Sequence, residues 1–274
     1  MKQKKIGAAI TAAPHVVWSI LFIAAPLLFV IFYAFTSPEG GFTLDNITAL
    51  AEYGDIFRTS IEMSIIATFC CFAVGYPLAY FMSRATERQK KIYMILLMLP
   101  MWTNLLIRTY SMMAILDDGG FLNTILLALD MAPVHIVGTK GAVIFGMAYD
   151  FFPYMVLPIY TAISKIDKRF IEAANDLGCN SLQVMTKVIL PLSKSGIVSG
   201  ITMVFVPSIS TFYISQKLGG GTFELIGDTI ERQFQSYSTY NIGAAISLVM
   251  MILILISLAI MNRFSDGDET ERIK

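Results

Sequence analysis

Apolar residues in this chain run in long, unbroken stretches rather than on one side of a helical repeat, so the gaps between charges mark its elements. A bilayer core about 30 Å thick takes about 20 helical residues. Six stretches reach that length, over about 14–35, 63–83, 92–116, 141–164, 195–216 and 242–261. Residues 6 to 38 carry no charge, the second stretch lies between Glu62 and Arg84, the third is interrupted only by Arg108, and the fourth only by Asp150. The pattern predicts an all-α integral membrane protein in which residues 1–274 form one transmembrane domain of six helices. The run after Lys2, Lys4 and Lys5 is too long for a secretory signal and lacks a clear small-residue cleavage site, so it reads as an uncleaved first helix.

Composition agrees with this reading. Of the 274 residues, 55% are hydrophobic and 15% charged, with mean hydropathy +0.65, against about 25% charged in a soluble domain. An ordinary soluble enzyme is excluded. A net charge of zero argues against a nucleic-acid partner bound through a basic surface. The charges are sorted along the chain instead: apart from Arg58, Arg108, Lys140, Lys217 and Arg232, every Lys and Arg falls on the side that six spans assign to both termini. Cytoplasmic loops hold the excess of Lys and Arg, so both termini are expected in the cytoplasm. The inner side then sums to +7 and the remainder to −7; the acidic outer face either attracts cations or simply follows from the same bias. Cys70, Cys71 and Cys179 have no disulfide or zinc spacing, and His15 and His135 stand far apart, so no metal centre is expected.

The one long inner loop, 165–194, carries most of the information. Lys168 to Leu177 suits a short helix, and Gly178 is placed for a left-handed C-cap. A second helix is expected from Ser181 as N-cap to a stop at Leu190-Pro191. Two such helices around a glycine make either a knob that enters a groove on another protein or an amphipathic hairpin lying on the bilayer.

Glu172-Ala173-Ala174, three residues, Gly178, nine residues, Val188, one residue and Leu190-Pro191 resembles the E-A-A-x3-G-x9-I-x-L-P signature of ABC importer permeases, with valine for isoleucine. The resemblance implies the type I importer permease fold and assigns Glu172, Ala173, Ala174, Gly178, Leu190 and Pro191 to coupling helices that seat in a cytoplasmic ATPase. Val74 to Tyr80 looks like the glycine-proline block of the second span in these permeases. Leu99 to Tyr110 with Gly120 and Asn123, Tyr154 to Tyr160, and Lys217 to Gly221 are similar to the subgroup importing spermidine and putrescine. Pro207 to Tyr213 departs from the glycine and acidic residue usual there. The resemblance further implies a bacterial inner-membrane protein working with an ATPase dimer, a second permease subunit that is homologous but not identical, and an extracytoplasmic polyamine-binding protein, all in contact with lipid.

No G-x-x-x-x-G-K-[ST] loop occurs, so this chain is expected to carry no cofactor of its own, ATP and Mg being bound by the partner ATPase. Nucleophile and metal motifs of enzymes are missing too, and the chain reads as a transport subunit. The other reading is a proton-coupled secondary transporter of a small cationic solute, with Asp150 carrying the proton. For a polyamine path, separated carboxylates and aromatic faces are needed; the candidates are Asp150, Glu62, Asp117 and Asp118 with Trp102, Tyr110, Tyr149 and Tyr160. Asp150 lies about 13 Å below Gly141, and Arg108 about 12 Å below Leu116, so Asp150 either meets a substrate amine or pairs with Arg108.

Overall fold

The computed structural model describes residues 13–271; Lys2, Lys4, Lys5, Arg272 and Lys274, which weigh in the charge sorting, lie outside the described residues. The described chain is helical, with an isolated antiparallel bridge between Thr36 and Phe42. Helix α1 (Ala13–Ala34) includes a π turn at Ile20–Ala24, just ahead of Pro26. A short α2 (Asp45–Thr48) and a 3-10 turn (Ala49–Tyr53) lead into α3 (Gly54–Arg84). Then follow α4 (Glu87–Met98), α5 (Leu105–Leu116), α6 (Phe121–Ala128) and α7 (Lys140–Ser164). The inner loop forms α8 (Lys168–Asp176) and α9 (Ser181–Leu192). Helices α10 (Lys194–Ser210), α11 (Tyr213–Leu218), α12 (Ile226–Gln235) and α13 (Tyr240–Glu271) complete the chain.

Among the described residues five helical stretches are long and apolar enough to cross a membrane, and six if the bent α9–α10 pair is counted as one span. Two expected spans differ, the third qualifying stretch being Leu105–Ala128 rather than 92–116. The run over 92–116 is broken between α4 and α5, because Pro100 offers no amide hydrogen and Asn104 caps a new helix through its side chain, accepting from the Leu106 N–H at 2.8 Å. The run over 195–216 leaves the helix at Thr211, whose extended backbone separates α10 from α11.

The chain packs as two units. In the one formed by residues up to Asp55 with Thr229–Leu253, Ala34, Ala244, Ala245 and Leu248 make the core. The carbonyls left over at the end of α1 are taken up by two amides: Asn46 Nδ2 donates to the Ala34 and Thr36 oxygens at 3.2 and 3.0 Å, and Asn241 Nδ2 to Tyr33 at 3.1 Å.

The second unit, Ile56–Asp228 with Ile254–Lys274, is built on α7. Toward the α7 N-terminus, Val143 and Met147 pack with Met63, Met112, Ile214 and Leu218; toward its C-terminus, Met155 and Ile159 pack with Tyr76, Ala79, Val204 and the loop residues Ala174, Val184 and Ile189. Helix α10 approaches α7 closely at two glycines. A Cβ on Gly200 would stand 2.9 Å from Met155 Sδ and 3.0 Å from its carbonyl oxygen, and one on Gly196 would stand 2.7 Å from the Pro158 oxygen. Within a membrane, where lipid is as apolar as the side chains, small residues of this kind set how near two backbones come. Gly200→Leu is therefore expected to push α10 off α7, an overpacking cost of about 1–3 kcal/mol or more. Quantitative membrane blots should show several-fold less assembled protein than for Ser199→Leu, where the side chain is exposed.

Candidate functional site

The inner loop folds as a helical knob held from beneath. The Asp167 carboxylate caps α8 by accepting from the Arg169 N–H at 3.0 Å. At the other end Gly178 adopts φ +79°, its N–H bonds to the Asn175 carbonyl at 2.9 Å, and the Cys179 N–H bonds to Ala174 at 3.0 Å. This is the paired closure of a Schellman motif, which requires the left-handed conformation that glycine adopts at least cost. The expected C-cap is in place, whereas the expected N-cap is not. Asn180 rather than Ser181 caps α9, accepting from the Gln183 N–H at 2.8 Å while the Gln183 side chain accepts from the Asn180 N–H at 2.9 Å. Nor does the helix stop at Leu190-Pro191. It passes through a π turn at Met185–Ile189, carries Pro191 in the next turn, and bends by 68° only at Ser193.

That bend is anchored. Ser193 is fully buried, and its hydroxyl lies 3.1 Å from the Tyr76 hydroxyl on α3. Beside Tyr76, Gly75 lies against Met155 and Val156 of α7. The block read as a span-two signature thus ties the root of the knob to the central helix.

The signature residues divide by exposure. Ala174 is buried in the core below the knob, while Glu172, Ala173, Gly178 and Pro191 are exposed and Leu190 partly so. The outward face also presents three large apolar side chains that the sequence reading passed over: Phe170, Leu182 and Leu177, the last 85% exposed. Phe170 and Leu177 fall at helical spacing with the buried Ala174, a pattern that in sequence reads as core. Next to the knob, a cavity of ≈ 550 Å³ is lined by Tyr80, Arg84, Glu87, Lys90, Lys168 and Glu172. There Lys90 Nζ donates to Glu87 Oε1 at 2.8 Å, which holds the Glu87 carboxyl below its usual range and the Lys90 ammonium above its own.

At membrane depth the structure joins Asp150 to Arg108. Asp150 is 1% exposed on α7, and the Arg108 Nε forms an ion pair with its Oδ1. Arg108 does more than neutralise this carboxylate: its Nη1 donates to the Pro100 carbonyl at 2.8 Å, a backbone acceptor released by the break between α4 and α5. Its guanidinium also lies 5.9 Å from the Tyr149 ring centre.

The other path candidates are dispersed. Glu62 is exposed and paired with Arg58 at 2.7 Å. Asp118 is exposed and bonded to His135 Nδ1 at 2.8 Å. Asp117 is exposed at the end of α5, its carbonyl accepting from the Gly120 N–H at 2.8 Å. Trp102, Tyr110 and Tyr149 are exposed, while Tyr160 packs half-buried against the core under the knob. No single pocket gathers these residues among the described cavities.

The profile of the family described as "Binding-protein-dependent transport system inner membrane component" matches residues 6–267. The chain belongs to this family. It is 37% identical over 258 residues to the spermidine/putrescine transport system permease protein PotB of Escherichia coli strain K12, covering 90% of this chain and 94% of the relative. The Haemophilus influenzae protein of the same description is also 37% identical, over 264 residues, 93% of this chain and 92% of its own. In fold, the chain is similar to a subunit of a bacterial ABC transporter involved in alginate import, with TM-score 0.79, 17% identity and 96% of each chain covered. A methionine ABC transporter in inward-facing form is similar at TM-score 0.57 and 16% identity, over 78% of this chain and 94% of its own. This family member therefore has the type I ABC importer permease fold and is a multi-pass inner-membrane transport component rather than an enzyme.

For this permease the Arg108–Asp150 geometry sets an expectation. Arg108 is 11% exposed and Asp150 1%, and removing one partner of a buried pair costs about 3–5 kcal/mol because the other charge is stranded. Asp150→Asn and Arg108→Gln are each expected to lower the amount of assembled complex. The double neutral variant should recover much of the loss. Blue-native gels of the four proteins test this, and normal assembly of both single variants would show the pair to be dispensable.

Proposed function

We propose that this chain is the membrane subunit through which spermidine, putrescine or a related polyamine enters the cell, driven by a cytoplasmic ATPase. The substrate class is carried by the 37% identity to relatives described as spermidine/putrescine permeases. The observation that carries the coupling is the knob itself. A left-handed Gly178 closes α8, and Phe170, Leu177 and Leu182 stand out into solvent, apolar surface of the kind that marks a protein interface. Glu172, Ala173, Leu190 and Pro191 lie on or beside that surface, and Ala174 roots it in the core.

On this reading an extracytoplasmic binding protein delivers the polyamine to a pore that this chain forms with a homologous, non-identical second permease. A pair of ATPase subunits holds ATP and Mg, and their closure moves the knobs. Because the bend at Ser193 is hydrogen-bonded to Tyr76 and the core under the knob is shared with α7, displacement of the knob reaches the membrane helices as a rigid push. Switching between outward- and inward-open packings follows the same logic. Both termini then lie in the cytoplasm.

Uptake of labelled spermidine by the reconstituted complex, competed by unlabelled putrescine but not by alginate or methionine, tests the substrate. Gly178→Val forces a β-branched residue into the left-handed region and is expected to cut uptake at least tenfold, with the protein inserted normally and its basal ATP hydrolysis retained. Unimpaired uptake in Gly178→Val would remove the docking role of the knob. Orientation is tested separately, in sealed right-side-out vesicles. An impermeant thiol reagent should label a cysteine placed at the exposed Glu52 and should leave Cys179 unlabelled until the membrane is opened.

A further inference from the structure

Helix α11 follows the break at Thr211 and lies beside α5 and α7 rather than continuing α10. One side of it, Ile214 and Leu218, is fully buried, and a Cβ on Gly146 of α7 would stand 2.9 Å from Ile214 Cγ2. The other side carries Tyr213 and Lys217, four residues apart and so on one helical face. Opposite them stands Tyr110 of α5. The two tyrosine rings meet edge to face, with centres 6.0 Å apart and planes at 72°. The Lys217 ammonium lies over both, 5.1 Å from the Tyr110 centre and 5.8 Å from that of Tyr213. Among the described residues it forms no ion pair with a carboxylate.

The depth of this cluster matters. Tyr110 lies within the apolar stretch Leu105–Ala128, six residues before the end of α5 at Leu116. An ammonium at such a depth is tolerated where it faces protein or a water-lined cavity, not lipid tails. Tyr110 is nevertheless 47% exposed, so the ring pair that holds Lys217 is reachable from outside this chain rather than closed off in its core. Two rings inclined at 72° make a recess suited to one alkylammonium, and the group now in it is an alkylammonium on a flexible four-carbon stem.

We propose that Tyr110 and Tyr213 form a transit site for a primary ammonium group of the transported solute, and that Lys217 occupies it as a tethered stand-in which the solute displaces. The inference rests on the polyamine reading above and deepens it by naming the residues that receive an amine. Lys217 keeps the recess filled and charged when no solute is present, and a second ammonium repels it outward as the solute arrives. Tyr110 was already a path candidate; Tyr213 lies in the segment that departs from the family pattern, and Lys217 in the run Lys217-Leu218-Gly219-Gly220-Gly221.

The test is spermidine uptake by the whole reconstituted transporter, with the same binding protein in every sample and assembled complex quantified for each variant. Lys217→Gln vacates the recess and is expected to lower the half-saturating spermidine concentration about three- to tenfold. Tyr110→Leu should raise it by a similar factor, Lys217→Arg should remain near the parent, and Lys217→Gln combined with Tyr110→Leu should behave as Tyr110→Leu alone. An unchanged or raised half-saturation in Lys217→Gln, or a gain that survives in the double variant, overturns the site while leaving the polyamine reading intact. A parent transporter that takes up no polyamine overturns that reading and this inference with it.

Discussion

Within a hydrocarbon layer every backbone carbonyl and every charge needs a protein partner, since water is absent and each unmet group costs several kcal/mol. The Arg108 guanidinium is where this chain meets that constraint most sharply. The break at Pro100 frees a carbonyl, Asp150 brings a carboxylate from α7, and one side chain serves both. Asp150, 1% exposed, depends on this partner, while the Pro100 carbonyl also accepts from Thr103. The interrupted span and the charge in the neighbouring span are thus one arrangement, and the position of α5 against α7 follows from it.

The same constraint explains how the rest of the second unit holds its irregular pieces. Thr103 turns its hydroxyl back to the Pro100 oxygen at 2.7 Å. Asp228 accepts from the Ser215 hydroxyl at 3.0 Å and from the Leu225 N–H at 2.8 Å, closing the turn between α11 and α12. The Ile226 N–H at the start of α12 reaches the Ser60 hydroxyl of α3 at 2.8 Å. Short polar side chains stand in for water at these breaks and hold the irregular pieces in place.

Transmission through the molecule has a matching physical basis. The knob is no appendage: Ala174, Val184 and Ile189 share one core with Tyr76, Met155, Ile159 and Val204. Close-packed interiors transmit displacement instead of absorbing it. The glycines of α10 bring its backbone against α7 at Met155 and Ile159, inside that core, so a movement of the loop has little slack to take up before α7 moves.

The sequence by itself determined the membrane class and the family, because uninterrupted apolar length and a widely spaced signature are properties of the chain that survive without coordinates. Gly178 was legible for the same reason: a glycine after a run of helix formers has one common conformational use. Asp150 and Arg108 were legible as a pair of depths, since helical rise converts residue number to distance, but either of two roles was open to them. Only the tertiary structure decided that they meet, because pairing depends on how α5 and α7 are rotated about their axes. It alone split the 92–116 run, moved the α9 cap from Ser181 to Asn180 and carried that helix past Pro191, since local propensity gives way there to packing and to whichever side chain reaches the free amide. Tyr213 and Lys217 stood in sequence only as members of two separate runs, for the most basic reason. They become a site only when a short helix folds back beside Tyr110, and nothing in the order of residues records that return.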